Sequence, residues 1–359
     1  MKKLQVVHIV EALGGGVYSY FINLTHVLCE DPNLEVTVIY SDQRKEINPE
    51  QIAKDFHPNA CLISLPMKRE ISPKNDWKAL KEIRKILYKI KPDVLHLHSS
   101  KAGILGRFAY ILSPAVKAEL FYTPHGFSFL RKDISTLKRT AFYFIEFFSQ
   151  KLSGGTLIAC GDTELTHAKK IGPALLVRNG IRHNSELNSA LKVNAEIKTI
   201  GILGRITYAR NPGFFNKIAL ANPDIDFVWI GDGELKNLLT APNIKITGWF
   251  NKQAEGLLEL EKIDLYLQTS LWEGLPFALL EASAREIPIL ATNIIGNKDI
   301  VASGKTGYLF ETLEEFNEAL ALLKTPAVRQ DMGLAAAKRT ALLFNSCINF
   351  RKLSSIYQA

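Results

Sequence analysis

Short apolar runs alternate along the chain with longer segments in which apolar residues recur at helical spacing. LQVVHIV (4–10), LEVTVIY (34–40) and DVLHLH (93–98) predict strands, whereas DWKALKEIRKILYKI (76–90) predicts an amphipathic helix that ends before a proline. Regular alternation of strand and helix is typical of α/β proteins with parallel sheets and helices on both faces. We therefore expect parallel sheets of this kind.

The same pattern starts again after a polar stretch at 181–198. TIGILGR (199–205) predicts a new first strand, and DFVWIGDG (226–233) and DLYLQTS (264–270) predict later strands of a second unit. We therefore expect two α/β domains, at 1–180 and 181–340. Because ligands of such sheets bind beyond the carboxyl ends of the strands, a cleft between two facing domains is the expected place for a site.

The bulk composition is that of a soluble globular protein, with 359 residues, 47% of them hydrophobic and 22% charged. No apolar run reaches the roughly 18 residues of a membrane span, and the first apolar run soon meets Glu11, which argues against a signal peptide. The four cysteines are scattered without CxxC spacing, which predicts a reducing cytosol and no structural zinc.

The net charge of +8 lies entirely in the first half of the chain. Residues 1–180 carry 25 Lys and Arg against 17 Asp and Glu, whereas residues 181–359 carry 19 of each. A positive field attracts nucleic acid, an anionic membrane surface or a phosphorylated substrate, and basic residues also serve as a plain solubilising surface. No motif that reads nucleic acid accompanies this charge, so nucleic acid is not an expected partner.

Three glycine-containing turns are candidates for contact with phosphate or a base. GGG (14–16) follows a predicted strand and opens a helix, so its amides are suited to phosphate; a flexible turn and a dinucleotide-binding loop with Ser19 at the third glycine position are alternatives. GDG (231–233) by itself predicts a tight turn. In ITGWF (246–250), Gly248 permits close backbone approach and Trp249 offers an aromatic face.

Two further segments combine charge with turns. GRITYARNP (204–212) places Arg205 and Arg210 around a short turn, where both guanidinium groups are suited to a diphosphate, the alternative being a surface pair. SLWEGLPFALLEASA (270–284) places Glu273 just before a predicted helix with Pro276 at its first position, and Glu281 inside that helix. A carboxylate suits the two hydroxyls of a ribose, and the alternative for Glu281 is a structural arginine partner.

The spacing of these two glutamates resembles the motif of retaining GT-B glycosyltransferases, and the whole segment is similar to family 4 (group 1) of these enzymes. The resemblance spans nearly the whole chain through HLHSSKAGILGR (96–107), TPHGFSF (123–129), RNGI (178–181) and the segments above. It implies two Rossmann-like domains that face each other across a cleft, and a last helix at about 341–359 that crosses back to the N-terminal domain.

The resemblance also implies roles for individual residues. Glu281 would bind the donor ribose, Glu273 would face the donor sugar, and His125 would lie near the reacting sugar. Arg205 and Arg210 would hold the diphosphate, although many family members have lysine where Arg210 stands.

Other implied contacts are made through loops. The remaining residues expected to contact the donor are Gly15, Gly16, Gly248, Trp249, Gly274, Leu275, Pro276 and Phe277. The acceptor side is expected at the end of the strand before residue 99, where His98, Ser99 and Lys101 would face the cleft.

The implied chemistry needs no metal ion or other cofactor. As the glycosidic bond of the nucleotide-sugar breaks, two arginines and a helix N-terminus stabilise the charge that gathers on the departing diphosphate. DID (224–226) is interpreted as a loop and strand start rather than a metal motif, and the two histidines of HLH (96–98) share a strand face without an evident third ligand. Retention is inherited from the family, and a front-face transfer is the hypothesis because no carboxylate is an obvious nucleophile.

HSSKAG and TPHGFSF are similar to enzymes that extend sugars on polyprenyl-diphosphate carriers in bacterial O-antigen, capsule or exopolysaccharide synthesis. The expected partners are thus a nucleotide-sugar, a UDP-sugar by resemblance, and a lipid-linked acceptor at the inner face of the cytoplasmic membrane. FSFLRKDISTLKRTAFYFIEFF (127–148) is a candidate docking segment for anionic lipid, with a core helix beside a solvated basic loop as the alternative.

Two other functions remain alternatives at this point. One is a nucleotide-sugar epimerase of the same two-domain type. The other is a non-catalytic nucleotide-binding partner of another transferase, against which the presence of both glutamates, both arginines and His125 argues.

Overall fold

The computed structural model describes residues 2–11, 13–43, 48–68, 70–182, 193–250 and 253–359. The chain divides into two compact units, one formed by Met1–Asn179 with Ser346–Ala359 and the other by Gly180–Asn345. The C-terminal segment thus belongs to the first unit although it follows the second one in the sequence.

The first unit is built on a parallel seven-stranded sheet. Its strands are β1 Leu4–Val10, β2 Leu34–Tyr40, β3 Cys61–Ser64, β4 Val94–His98, β5 Glu119–Thr123, β6 Thr156–Ala159 and β7 Ala174–Leu176. The strands lie in the order β3-β2-β1-β4-β5-β6-β7. This order reverses direction at β1, and the carboxyl ends of β1 and β4 flank that switch point, which is where ligands of doubly wound sheets bind.

Helices cover this sheet because their apolar positions recur at helical spacing and pack on the apolar strands. They are α1 Gly16–Leu28, α2 Pro49–Asp55, α3 Pro73–Ile90, α4 Ser99–Ile111, α5 Thr136–Ser153, α6 Asp162–Ala168 and, from the end of the chain, α13 Ser346–Tyr357. The last helix was expected at about 341–359 but begins at Ser346, because residues up to Leu343 continue the preceding helix.

The second unit repeats the arrangement with six parallel strands. These are β8 Thr199–Leu203, β9 Asp226–Ile230, β10 Ile244–Ile246, β11 Leu265–Gln268, β12 Ile289–Thr292 and β13 Tyr308–Phe310, in the order β10-β9-β8-β11-β12-β13. The helices are α7 Pro212–Ala221, α8 Gln253–Leu260, α9 Phe277–Ala284, α10 Asn297–Ile300, α11 Leu313–Leu323 and α12 Pro326–Leu343. The direction of strand order changes between β8 and β11.

Backbone loops at the ends of β8 and β9 pack directly on each other. A Cβ at Gly231, whose φ is +135°, would lie 2.4 Å from the carbonyl oxygen of Gly204, and one at Gly233 would lie 2.3 Å from that of Ile206. The Trp229 indole donates to the Gly204 carbonyl at 2.8 Å. GDG is therefore more than a tight turn, because glycine is required for this close approach beside the switch point.

Candidate active site

Arg210 and Glu273 meet at the carboxyl ends of β8 and β11. Arg210 ends a short 3-10 helix after β8, and two hydrogen bonds fix that helix against the loop after β11: the Leu271 amide donates to the Ala209 carbonyl at 2.8 Å, and the Thr269 hydroxyl donates to the Arg210 carbonyl at 2.7 Å. The Arg210 Nη1 then lies 3.0 Å from Glu273 Oε1. Both side chains are mostly buried, which strengthens their ion pair.

All contacts that the described residues make with the Glu273 carboxylate are to one of its oxygens, Oε1. Oε1 accepts from the Gln268 amide at 3.1 Å and from the Ser270 hydroxyl at 2.8 Å, in addition to facing Arg210. None of the described residues donates a hydrogen bond to Oε2, and Arg210 Nη1 lacks a hydrogen bond of good geometry among them. Glu273 Oε2 is therefore available to accept a hydrogen bond from a ligand.

Glu281 lies in the second turn of α9, where it pairs with Arg285. The Arg285 Nη1 donates to Glu281 Oε2 at 2.7 Å, and the Arg285 Nε donates to Glu261 Oε1 at 3.2 Å. Burial raises the pKa of Glu281, and the guanidinium group of Arg285 opposes that rise. The structural arginine partner considered as an alternative is thus present, while Glu281 Oε1 has no hydrogen-bond partner among the described residues.

The helix that carries Glu281 begins one residue later than expected. Pro276 has φ −74° and ψ 117° and occupies the cap position, so α9 starts at Phe277. The prediction that Pro276 is the first helical residue is therefore wrong by one position, a difference within the usual uncertainty of helix ends. Leu275, Pro276 and Phe277 are buried, so they can reach a ligand only through their backbone.

The loop that contains Gly274 packs closely on Gly296. A Cβ at Gly296, whose φ is +85°, would lie 2.5 Å from the Gly274 carbonyl oxygen and 3.1 Å from the Glu273 Cβ. This close approach fixes the position of the loop that carries Glu273 and leads to the first amides of α9. Any larger residue at Gly296 would displace that loop.

Arg205 is more exposed than Arg210 and belongs to a different ion pair. Its Nε lies 3.3 Å from Glu234 Oε2, and about two fifths of its side chain is exposed. Gly248, the second residue after β10, adopts φ +83°, and its amide donates to the Gly231 carbonyl at 3.2 Å. Trp249, the next residue, is exposed, as an aromatic face for a ligand would have to be.

The glycine loop of the first unit follows β1. Gly15 caps α1 with φ 53° and ψ −129°, and a Cβ there would meet no atom within 4 Å. Its glycine is thus required by the backbone conformation and not by crowding. Gly16 is the first residue of α1, so the free amides at this end of α1 point outward.

His125, which is partly exposed, ends a row whose other histidines are buried. Its Nε2 lies 3.0 Å from His98 Nδ1, and its Nδ1 lies 3.5 Å from the Cys160 sulfur. His98 Nε2 in turn lies 2.9 Å from His8 Nδ1. Burial lowers the pKa of His125 to about 3, so its imidazole is neutral near pH 7.

The loop that carries His125 is held by one carboxylate. Glu164 Oε1 accepts from the Gly126 amide at 2.7 Å, and Glu164 Oε2 accepts from the Cys160 amide at 2.7 Å. His125 itself has φ +53°, which is rare for a residue with a side chain. Such strain persists only where the surroundings fix it, and it is common at functional sites.

The side chains predicted to form the acceptor side are placed differently in the structure. His98 is fully buried and bonded at both ring nitrogens, so the prediction that it faces a cleft is wrong for its side chain. The Lys101 ammonium lies 2.6 Å from the Asp76 carboxylate of α3 and donates to the Glu70 carbonyl at 3.0 Å. Both of these contacts are with residues of the first unit. Ser99 opens α4 with φ +64°.

Three buried histidines, His8, His96 and His98, bring ring nitrogens within 4.8 Å of one another. The sequence suggested only the two in HLH, and the third comes from the parallel pairing of β1 with β4, which places His8 opposite His96. His96 bonds Thr123 and Tyr357, so His8 Nε2 is the one nitrogen of the three rings without a hydrogen-bond partner among the described residues. The cluster therefore fits a hydrogen-bonded network better than a cation site.

Several residues that shape the site were not evident from the sequence. Gln268 and Ser270 hold Glu273, and Arg285 and Glu261 hold Glu281. The only sequence signal for Arg285 is its spacing of four residues from Glu281 on a helix. Gln268 at the end of an apolar strand was a comparable signal.

Comparisons with known proteins bear on both units. Residues 14–183 match the family described as Glycosyltransferase Family 4, and residues 197–325 match the one described as Glycosyl transferases group 1. No helix among the described ranges is long and apolar enough to cross a membrane.

Two relatives are bacterial glycosyltransferases of similar length. The UDP-Gal:alpha-D-GlcNAc-diphosphoundecaprenol alpha-1,3-galactosyltransferase of Escherichia coli is 30% identical over 84% of this chain and 82% of its own. The capsular polysaccharide biosynthesis glycosyltransferase CapM of Staphylococcus aureus is 24% identical over 90% of each chain.

Solved structures share the fold across the whole chain. Sucrose-phosphate synthase from Thermosynechococcus elongatus superimposes with a TM-score of 0.80 at 14% identity, over 99% of this chain and 98% of its own. HepE from Anabaena, in complex with UDP and glucose, superimposes with a TM-score of 0.76 at 14% identity, over 99% of each chain. The expected GT-B class of two Rossmann-like domains is confirmed, and the chain belongs to the group 1, family 4 glycosyltransferases.

Proposed function

We propose that this glycosyltransferase moves a sugar from a UDP-sugar to a sugar carried on a polyprenyl diphosphate, with retention of configuration and without a metal ion. The observation that carries the proposal is the pair of Arg210 and Glu273 at the carboxyl ends of β8 and β11, in which the second carboxylate oxygen, Oε2, accepts no hydrogen bond from the described residues. The names of the relatives support the substrates, because the Escherichia coli enzyme uses UDP-Gal and a diphosphoundecaprenol-linked GlcNAc.

Charge on the leaving group is the main chemical demand. As the bond from sugar to diphosphate breaks, negative charge gathers on the phosphate oxygens. Arg210 is held rigid by Glu273 and by the backbone of its turn, so it would meet that charge without reorganising. Arg205 is more exposed and would contribute a second guanidinium group, and the first amides of α9 would donate to the same anion.

The two glutamates would bind different parts of the donor. Glu281 Oε1 would accept from a ribose hydroxyl while Oε2 stays with Arg285, and Glu273 Oε2 would accept from a hydroxyl of the donor sugar. Gly248 and Trp249 would contact the base, and Gly15 and Gly16 would approach the diphosphate. Because Glu273 Oε1 is held by three polar groups, we propose that it positions the donor and that transfer occurs on the front face.

The proposed biological role is the synthesis of a bacterial surface polysaccharide. CapM is named for capsular polysaccharide biosynthesis, and the lipid-linked acceptor of the Escherichia coli relative is consistent with the same kind of process. A lipid-linked acceptor would place the enzyme at the inner face of the cytoplasmic membrane as a peripheral protein.

The proposal is tested by a thermal-shift screen of UDP, GDP, ADP and dTDP, followed by turnover. We expect UDP to raise the melting temperature most. We also expect the EDTA-treated enzyme to transfer sugar from a UDP-sugar to GlcNAc linked through a diphosphate to a short-chain lipid. The anomeric proton coupling of the product should match the α-configured donor. Isomerised donor without acceptor would instead identify an epimerase, and preference for another nucleotide or loss of activity with EDTA would refute the corresponding part.

A further inference from the structure

We infer that the outer face of α4 and α5 is a docking surface for an anionic lipid bilayer. This inference rests on the proposed function, because it assigns the partner that a lipid-linked acceptor requires. The stripe on α5 consists of Leu137, Phe144, Ile145, Phe148 and Leu152, which recur at spacings that keep them on one side of a helix. All are exposed, Leu137 by 80%, Phe148 by 57% and Leu152 by 70%.

Helix α4 extends the stripe into a broader patch. Its end exposes Phe108, Ile111 and Leu112. Phe108 and Ile111 line one shallow surface pocket together with Leu152 of α5, so the apolar groups of the two helices are continuous. Isolated exposed apolar residues are ordinary, but a continuous patch of this kind marks an interaction site.

The charges around the stripe identify the partner. Lys138 and Lys151 follow the two edges of the apolar arc on α5, and both are exposed. The one acid of this helix, Glu146, points inward and bonds Arg107 at 3.0 Å. The outward face is therefore apolar in the middle and cationic at its edges, which suits insertion among anionic headgroups.

A second copy of the chain fits this face less well. Two copies packed through the stripe would bring lysine-bearing edges of like charge next to each other, which opposes association. Among the basic residues of the segment 127–148, Arg131 is paired with Asp133 and Arg139 donates to the Phe129 carbonyl, whereas Lys132 and Lys138 are exposed. Lys138 and Lys151 are the cations placed for lipid.

The test is cosedimentation of the full chain with vesicles at low salt. We expect binding to phosphatidylcholine vesicles that contain phosphatidylglycerol, and a loss of at least about tenfold in the partition coefficient for Lys138→Gln/Lys151→Gln and for Phe144→Ser/Phe148→Ser. Leu322→Ser/Leu342→Ser removes exposed leucines from the second unit and should bind like the wild type.

Two further measurements separate the outcomes. All these variants should retain wild-type turnover on a short-chain, water-soluble acceptor, so loss of docking is distinct from failure of the proposed activity. Equal vesicle binding by the wild type and the α5 variants would overturn the inference. A wild-type dimer that Phe144→Ser/Phe148→Ser converts to a monomer would overturn it too, since the patch would then bind a second copy.

Independently, we infer that His8 is a positioning residue for His125. Rings of His8, His98 and His125 are linked by two nitrogen–nitrogen distances of 2.9 and 3.0 Å. Each neutral imidazole has one N–H and one bare nitrogen, so a donor at one link fixes the tautomer of the next ring. The three rings must therefore share one tautomer.

The ends of the row decide which tautomer that is. His8 Nε2 is buried without a partner among the described residues, and a buried N–H there would cost more than a bare nitrogen. The proton of His8 thus lies on Nδ1 and is donated to His98, His98 donates to His125 Nε2, and His125 Nδ1 donates to the Cys160 sulfur at 3.5 Å. His125, which the resemblance to the family places near the reacting sugar, is oriented through this row.

Nitrogen-15 NMR of labelled histidine tests the tautomers in the wild-type protein. We expect His8, His98 and His125 all to carry the proton on Nδ1, and one ring with the other tautomer would overturn the inference. This measurement needs no activity, so it fails or succeeds separately from the proposed function.

Kinetics of His8 variants test the positioning itself. His8→Leu should lower kcat by between about tenfold and a hundredfold with little change in KM for the donor, because a small misplacement near the reacting atoms suffices. His8→Asn keeps a donor near the Nδ1 position and should recover most of kcat. His96→Gln, a matched change of a buried histidine outside the row, should leave kcat near the wild-type value. Equal kcat for His8→Leu and the wild type would contradict the inference.

Discussion

The guanidinium group of Arg210 lies 3.0 Å from the carboxylate of Glu273, and this ion pair joins the turn after β8 to the loop after β11. The two residues are 63 positions apart in the sequence, yet parallel pairing of β8 with β11 brings the ends of their strands together. A cation and an anion are thereby fixed side by side at the switch point of the second sheet. The proposed chemistry depends on this relationship.

Removing the charge of Arg210 should slow transfer more than it weakens donor binding. We expect Arg210→Gln to lower kcat by about 10²–10³-fold, the usual cost of losing one group that stabilises developing charge. Arg210→Lys keeps the charge and should lose less. Lys262→Gln, which breaks a surface ion pair with Glu259 in the same unit, should leave kcat unchanged. Equal activity of Arg210→Gln and the wild type would contradict the proposed role.

Glu281 and Glu261 share Arg285, so they form a matched pair for testing the ribose contact. We expect Glu281→Gln to weaken UDP binding by about tenfold, because its free oxygen would lose a charged hydrogen bond with a ribose hydroxyl. Glu261→Gln disturbs the same arginine without facing the ligand and should bind UDP normally. Isothermal titration measures both, and equal effects of the two changes would mean that Glu281 only serves Arg285.

The buried pair of Arg107 and Glu146 should stabilise the packing of α4 on α5. Both side chains are almost fully buried, and Glu146 also accepts from the Tyr122 hydroxyl at 2.9 Å. Glu146→Ala leaves a buried guanidinium group without its anion and should cost about 3–5 kcal/mol of unfolding free energy. Arg107→Leu/Glu146→Leu should cost less than the single change. Urea unfolding measures both, and a larger loss in the double variant would contradict this account.

Acid should destabilise the first unit through its buried histidines. Burial lowers the pKa of His8 and of His125 to about 3, whereas an unfolded histidine has a pKa near 6.5. The unfolded state therefore binds more protons below pH 6.5, so stability is complete above that pH and falls as the pH drops toward 3. Each such histidine contributes a slope of up to about 1.4 kcal/mol per pH unit.

Unfolding followed by tryptophan fluorescence between pH 7 and 4 checks this. In His8→Leu we expect the slope of the unfolding free energy against pH to decrease by nearly the contribution of one proton, about 1.4 kcal/mol per pH unit. A stability that does not change over this interval would show that these histidines are protonated in the folded state.

The sequence predicts the architecture well because strand and helix periodicities are local signals. The parallel strands, their alternation with helices and the separation into two α/β units follow from spacing alone. The ion pair of Arg210 with Glu273 was not evident, since it depends on which strands are neighbours and not on sequence distance. The same holds for His8, whose contact with His98 exists only because β1 pairs with β4.

The orientation of side chains was the least predictable part. His98 and Lys101 end or follow a strand where ligands usually bind, but His98 turns into the core and Lys101 is captured by Asp76. A pattern of residues fixes the place of a side chain on its element, whereas its direction depends on partners that lie far away in the sequence. Exposure of Leu137 and Leu152 on α5 likewise required knowledge of what the helix packs against.

A crystal structure of the protein with UDP is the decisive measurement for the proposed site. We expect the diphosphate to contact Arg210 and Arg205 at the carboxyl end of β8, and the ribose hydroxyls to reach Glu281. Density for UDP at another place, with the pair of Arg210 and Glu273 unchanged and untouched, would contradict the proposed site and the mechanism built on it.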